Sequence, residues 1–130
     1  MWEIYHDTIR QYSRIDLQQE RGLILRAQNG SKKSKDEVIL RHISFLMFRI
    51  RSKVFCCHMQ HVGEDLLAEA ILLTYNKIES YNLDYRNEKG DSHPVRFASY
   101  IWKRIDGFIL DYLKKELNKL QVVNPVDNHL

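Results

Sequence analysis

At 130 residues and 15.6 kDa the chain fits one compact domain, which buries about two-thirds of the surface its unfolded form exposes, and a second full domain is not expected. Five Gly and two Pro are few against the ~12% of average usage, which argues against a turn-rich β-sandwich or a disordered chain and predicts an all-α bundle of about four to five helices. The net charge is +3, 44% of residues are apolar, and no stretch approaches the ~18 uninterrupted apolar residues of a membrane span, so a soluble protein with no membrane partner is expected.

The first ten residues, MWEIYHDTIR, carry acids and lack an apolar run before a small-residue cleavage site, so they do not read as a secretory signal. A reducing, cytoplasmic setting follows as the expectation. Residues 3 to 12 predict a short helix. Asp16 then precedes a periodic run of Leu17, Leu23, Ile24 and Ala27 that stops at Asn29-Gly30, an N-cap and a C-terminal Gly bracketing about three turns.

Ser34 is the expected cap of the next helix, with Asp36 and Glu37 in its first turn, where the macrodipole favours acids. Its core stripe is Ile39, Ile43, Leu46, Met47, Ile50 and Val54, and Phe45, Phe48 and Phe55 widen the apolar surface. The segment CCHMQHVG reads as a connection. Adjacent Cys56 and Cys57 would make a strained disulfide, and Cys57 with His61 four residues on are the weak candidates for a metal, none being expected.

A third helix is predicted from about Glu64 to Tyr81, with Leu66, Leu67, Ala70, Leu73, Thr74 and Ile78 inward. Asp65, Glu69, Leu72, Asn76 and Glu79 fall near one line on its other side, an acidic stripe with one exposed Leu. Residues 82 to 95 are rich in Asn, Asp, Gly and Pro and predict a loop.

The last helix, about Arg96 to Leu120, shows two faces. Phe97, Ile101, Ile105, Phe108, Ile109 and Tyr112 point to the core, and Arg96, Tyr100, Lys103, Gly107 and Lys114 point almost the opposite way. Cations take phosphates, an exposed ring stacks on an unpaired base, and Gly permits close backbone approach, so this rail suits nucleic acid. The plainer alternative is that Tyr100 half-buries its ring and Gly107 relieves a helix crossing.

Charge is blocked along the chain. Residues 31 to 61 hold seven basic and two acidic side chains, residues 62 to 91 three and seven, and residues 96 to 120 six and three. Two basic segments around an acidic one suggest a polyanion and a basic protein surface as partners.

In this order, RGLILRAQNG, LRHISFLMFRI, GEDLLAEAILLTYNKIESYN and RFASYIWKRIDGFILDYLKKE together resemble region 2 of bacterial RNA polymerase sigma factors, over residues 16 to 117, with an ending closer to the alternative branches. The resemblance implies a transcription initiation factor with no cofactor and no catalysis. Its third helix would dock on the coiled coil of the polymerase large subunit through Asp65, Leu66, Glu69 and Leu72, to which the stripe adds Asn76 as a candidate. Its fourth would hold unstacked non-template bases of the promoter minus-ten element through Phe97, Tyr100, Trp102, Lys103 and Arg104, and the outward face of the same helix adds Arg96, Gly107 and Lys114 to the candidate DNA-binding set.

Several positions depart from the family pattern. Ala68 stands where many members carry Gln, Lys103 and Arg104 where the housekeeping class has two Trp, Asp106 and Asp111 place acids beside the rail, and the 82–95 loop is long. The expected organisation is a helical extension over 1–15, the domain over 16–120, and a tail or linker start over 121–130, with no helix-turn-helix following. A fragment, a natural region-2-only protein needing a second polypeptide or answering to an anti-sigma factor, and a polymerase-binding decoy all fit that ending. The alternative from another class is a helical protein-interaction module that does not recognise DNA. No Gly-rich phosphate loop, G-x-S-x-G or H-E-x-x-H is present to suggest an enzyme.

Overall fold

The computed structural model describes residues 2–85, 88–91 and 95–123, with side chains through 119. Among these residues the chain is all-helical: a 3-10 turn Glu3–Tyr5, then α1 His6–Gln11, α2 Leu17–Gln28, α3 Lys32–Lys53, α4 Cys56–Ile78 and α5 Phe97–Val123. None of these helices is long and apolar enough to cross a membrane. The N-terminal segment is tied to the bundle, because Trp2 is buried in the core and the Arg51 guanidinium lies 4.9 Å from its ring centre.

α2 begins and ends as its sequence predicts. Asp16 Oδ1 accepts from the Gln19 N–H at 2.8 Å while Gln19 Oε1 accepts from the Asp16 N–H, a reciprocal capping box. At the other end Gly30 takes φ +102°, and its N–H and that of Ser31 donate to Ala27 and Arg26 carbonyls, the Schellman pattern that only a left-handed residue completes.

The start of α3 differs from expectation. Ser31 is the cap, its hydroxyl accepting from the Ser34 N–H at 3.2 Å, so Ser34 lies inside the first turn and Asp36 and Glu37 fall in the second. Glu37 instead pairs with Arg41, one turn on. α4 starts eight residues before the expected Glu64. Only Val54 and Phe55 separate α3 from α4, and Met59, Val62, Leu66, Leu67 and Ala70 keep helical spacing from the first turns, so packing on α3 carries the helix through the CCHMQHVG segment.

Ile39, Ile43, Leu46, Met47 and Ile50 of α3, with Val54 just after it, interlock with Leu66, Leu67, Ala70 and Ile78 of α4 and with Phe97, Ile101, Ile105 and Ile109 of α5, all buried. Phe45 reaches the edge of this core, while Phe48 and Phe55 are exposed instead of adding to it. The return from α4 to α5 is fastened to α2. Gln28 Nε2 donates to the carbonyls of Ile78 and Tyr81 at 2.9 and 2.8 Å, satisfying acceptors at the end of α4, and Arg21 donates to Leu83 O.

Glu20 is buried and holds α2, α3 and α5 together. One carboxylate oxygen accepts from the Phe97 N–H at 3.1 Å, capping α5 from another helix, and lies 3.9 Å from Arg96 Nε; the other lies 3.6 Å from His42 Nε2. His42 gives its other ring nitrogen to Val38 O at 2.7 Å. Burial pushes the His42 pKa down, with Arg96 acting the same way, against the opposing pull of the Val38 carbonyl and Glu20. The unfolded chain therefore takes up this proton first, at about pH 6.5, and the folded state loses stability as pH falls from there towards the lower folded value. Denaturant titrations at successive pH values are expected to show this loss, up to ~1.4 kcal/mol per pH unit, and to show it reduced in His42→Gln. An unchanged pH slope in that variant would assign the acid sensitivity elsewhere.

Candidate nucleic-acid and protein-docking faces

α5 is amphipathic, and its outward side carries exposed Lys103, Arg104 and Lys114. Tyr100 stands at the head of this side, 37% exposed, with its ring edge on Tyr81 at 5.3 Å and its hydroxyl 2.8 Å from Ser80 Oγ. These contacts hold one part of the ring against the bundle and leave the rest to solvent. Gly107 has nothing within 4 Å of where a Cβ would stand, so it relieves no helix crossing, and the backbone there is open to approach.

Two residues of the expected DNA-contacting set turn inward: Arg96, which periodicity places on the rail, and Phe97, which periodicity places in the core and only the resemblance assigns to DNA. Arg96 is half-buried and donates to Ile15 O at 2.8 Å beside Glu20, because the carbonyls and carboxylate of the α2 entry satisfy its guanidinium. Phe97 is fully buried, its ring 5.1 Å from His42 and 5.6 Å from Tyr81, and serves as the floor under Tyr100.

Trp102 lies between the two faces of α5. It is 44% exposed, but the Arg49 guanidinium covers its ring at 4.6 Å and its indole N–H donates to Asp106 Oδ2 at 3.1 Å. Arg49 in turn donates two hydrogen bonds to the Asp106 carboxylate, at 2.9 and 2.6 Å. Partial burial raises the Asp106 pKa, but the Arg49 hydrogen bond and charge, with Lys53 and the indole N–H, outweigh it and hold the carboxyl below its ordinary value. Asp106 is thus neutralised from within and does not oppose an anion on the rail; Asp111 stays exposed. Trp102 also lines a groove of about 650 Å³ between α3, α5 and the α1–α2 link, together with Phe45, Phe48, Arg41 and His42.

On α4 and at Glu79 just past its end, Asp65, Glu69, Leu72, Asn76 and Glu79 are all exposed, and Leu72 shows 64% of its surface. Leu66 does not belong with them. It is fully buried on the inward side of α4, so the apolar contact of this face is Leu72 alone. Glu79 pairs with Lys35 of α3 at 2.6 Å with half its side chain still exposed. The pKa of the Tyr112 hydroxyl on α5 is raised first by partial burial and then by the charges of Glu116, Asp65 and Glu69.

No protein-family model matches the chain, and neither a curated protein nor a solved structure matches it.

Cys56 and Cys57 are free and exposed at the start of α4, as are His58 and His61. Among the described residues no three His, Cys, Asp or Glu side chains converge as metal ligands, so Cys57 and His61 stand as a pair without a third. Three contributors to these faces escape sequence reading. Arg49 counts as a free cation in a basic segment yet is buried against Asp106. Leu110 and Leu117, 53% and 55% exposed, lie on the same side of α5 as Lys103 and Lys114, a signal present in their spacing of seven.

Proposed function

We propose that this chain is a sigma-like transcription initiation factor that acts by binding and not by catalysis, working in the cytoplasm on the core polymerase. The acidic stripe of α4 docks on the basic coiled coil of the polymerase large subunit, with Leu72 as its buried contact and Asp65, Glu69 and Asn76 around it. Tyr100, Lys103, Arg104 and Lys114 of α5 receive the unpaired non-template strand of the minus-ten element, the ring stacking on a base and the cations taking phosphates. The observation that carries the proposal is an exposed acidic stripe and an exposed, ring-bearing basic stripe on two neighbouring helices of one bundle.

Retention of the chain by core polymerase, followed by titration of the complex with fluorescent single-stranded minus-ten DNA, tests both halves. Glu69→Lys is expected to weaken retention by about tenfold or more, since it sets like charge against a basic surface. Tyr100→Ala is expected to leave retention intact and weaken DNA binding by about 5- to 30-fold, from ~1 to 2 kcal/mol of lost stacking. Equal loss of both activities in both variants, or no retention of the unaltered chain, rejects the assignment. The exposed Leu110 and Leu117 favour a second reading, a helical interaction module whose α5 face takes another protein; unchanged DNA binding in Tyr100→Ala would select it.

A further inference from the structure

The two outward stripes share one spacing. On α4 and at Glu79 just past its end, Asp65, Glu69, Leu72, Asn76 and Glu79 advance in steps of four, three, four and three; on α5, Lys103, Gly107, Leu110, Lys114 and Leu117 do the same. Alternating steps of three and four are the spacing of a helix-pairing seam. The charges on the two seams are opposite. α4 and α5 already pack against each other through their core sides, and among the described residues no ion pair joins the two stripes of one molecule.

We infer that the acidic stripe of α4 in one molecule pairs with the basic, leucine-bearing stripe of α5 in a second copy of this chain, as an antiparallel helix pair. Setting Leu72 against Leu110 fixes the register. Glu69 then faces Lys114, Asn76 faces Gly107, Glu79 faces Lys103 and Asp65 faces Leu117, so one charge is unmatched, and each layer is offset by no more than about 1.5 Å, one residue's rise. The reverse, parallel alignment matches only Asp65 with Lys103; it sets Glu69 against Gly107, Glu79 against Leu117 and Lys114 against Asn76, and leaves three charges unmatched. The open space at Gly107 admits the Asn76 side chain, and no ion pair within the described residues holds Asp65, Glu69, Lys103 or Lys114.

Because the pairing joins two different surfaces, each copy keeps one stripe free and assembly continues head to tail. Two heptads bury less than the ~1,200 Å² of stable interfaces, so association falls in the range of about 10 to 100 µM. Both faces assigned above to polymerase and DNA are covered in the assembly, yet the pairing requires neither partner and stands apart from that assignment.

Sedimentation velocity of the full chain alone tests it, over concentrations on the order of 10 to 300 µM at low and high salt. The unaltered chain is expected to sediment faster with concentration at low salt and to lose most of that rise near ~0.5 M salt. Glu69→Lys and Lys114→Glu, both at exposed positions and checked for helix content by circular dichroism, are each expected to remain monomeric. Their equimolar mixture sets opposite charges against each other at both kinds of junction, one native and one with the signs exchanged, and is expected to recover the concentration-dependent association that each variant loses alone. A monomeric unaltered chain throughout the range, association of either single variant as in the unaltered chain, or a mixture that sediments as two monomers overturns the inference. Since neither polymerase nor DNA is present, failure of the initiation-factor assignment leaves these outcomes unchanged, and Lys114→Glu separates self-pairing from polymerase docking.

Discussion

Phe97→Ala is expected to lower the thermal unfolding midpoint by about 10 to 20 °C, the largest effect of a single truncation in this bundle. The ring is fully buried where α3 and α5 meet the segment that follows α4, in edge contact with His42 and Tyr81 and beside Tyr100. Removing a buried Phe ring costs ~3 to 5 kcal/mol in lost transfer energy and cavity, out of the ~6 to 20 kcal/mol that a chain of this length possesses. At roughly 3 to 5 °C per kcal/mol this gives the stated shift in a calorimetric scan. The substitution also removes the floor beneath Tyr100, so binding of single-stranded DNA falls together with stability, whereas Tyr100→Ala lowers binding alone. A midpoint shift under about 5 °C would mean that the neighbours collapse into the space and that the ring does not support the face.

The contrast between Phe97 and Tyr100, three residues apart on one helix, shows what the sequence reveals and what it hides. Helical periodicity separates the core of α5 from its outer side, and Phe97, Ile101, Ile105 and Ile109 lie where it places them. The same periodicity puts Arg96 on the outer side, but Arg96 directly precedes the helix, and its guanidinium is drawn to Ile15 O and the Glu20 carboxylate. Those acceptors belong to segments about eighty residues away, so nothing near Arg96 announces them. Arg49 and Asp106 are hidden in the same way: each reads as a surface charge until α3 and α5 are packed together.

Helix ends divide along the same line. The capping box of Asp16 and Gln19 is local, and it is legible. Ser31 and Ser34 are both competent caps, and the choice falls to Ser31 because Ser34, at the third helical position, is buried. The early start of α4 is decided by packing. Cys, His and Gln are indifferent helix formers, and only the burial of Val62 against its neighbours turns the segment from connection into helix. The all-helical architecture was open to inference from composition and periodicity, while the Leu110 and Leu117 pair, visible in principle, is masked by the cations that share its stripe.

Glu20 is the residue whose weight is least apparent from its local sequence, and Glu20→Ala is expected to cost about 2 to 4 kcal/mol. The loss has two parts. The Phe97 N–H, buried at the start of α5, loses its acceptor, which costs ~1 to 3 kcal/mol, and the half-buried Arg96 loses its nearest counter-charge. Glu20→Gln keeps an amide oxygen for Phe97 and nearly the same volume, so it is expected to cost about half as much. The two variants also differ from the unaltered chain in acid. Glu20 favours the protonated form of His42, so removing its charge depresses the folded pKa of His42 further, while the unfolded value stays near 6.5. The decline in stability therefore starts at the same pH in Glu20→Gln but continues to lower pH before levelling, which denaturant titrations between about pH 7 and 4.5 resolve. Equal losses for Ala and Gln would remove the capping role and leave only charge. A larger loss for Ala with an unchanged acid limb in Gln would keep the cap and show that His42 does not sense the carboxylate at 3.6 Å.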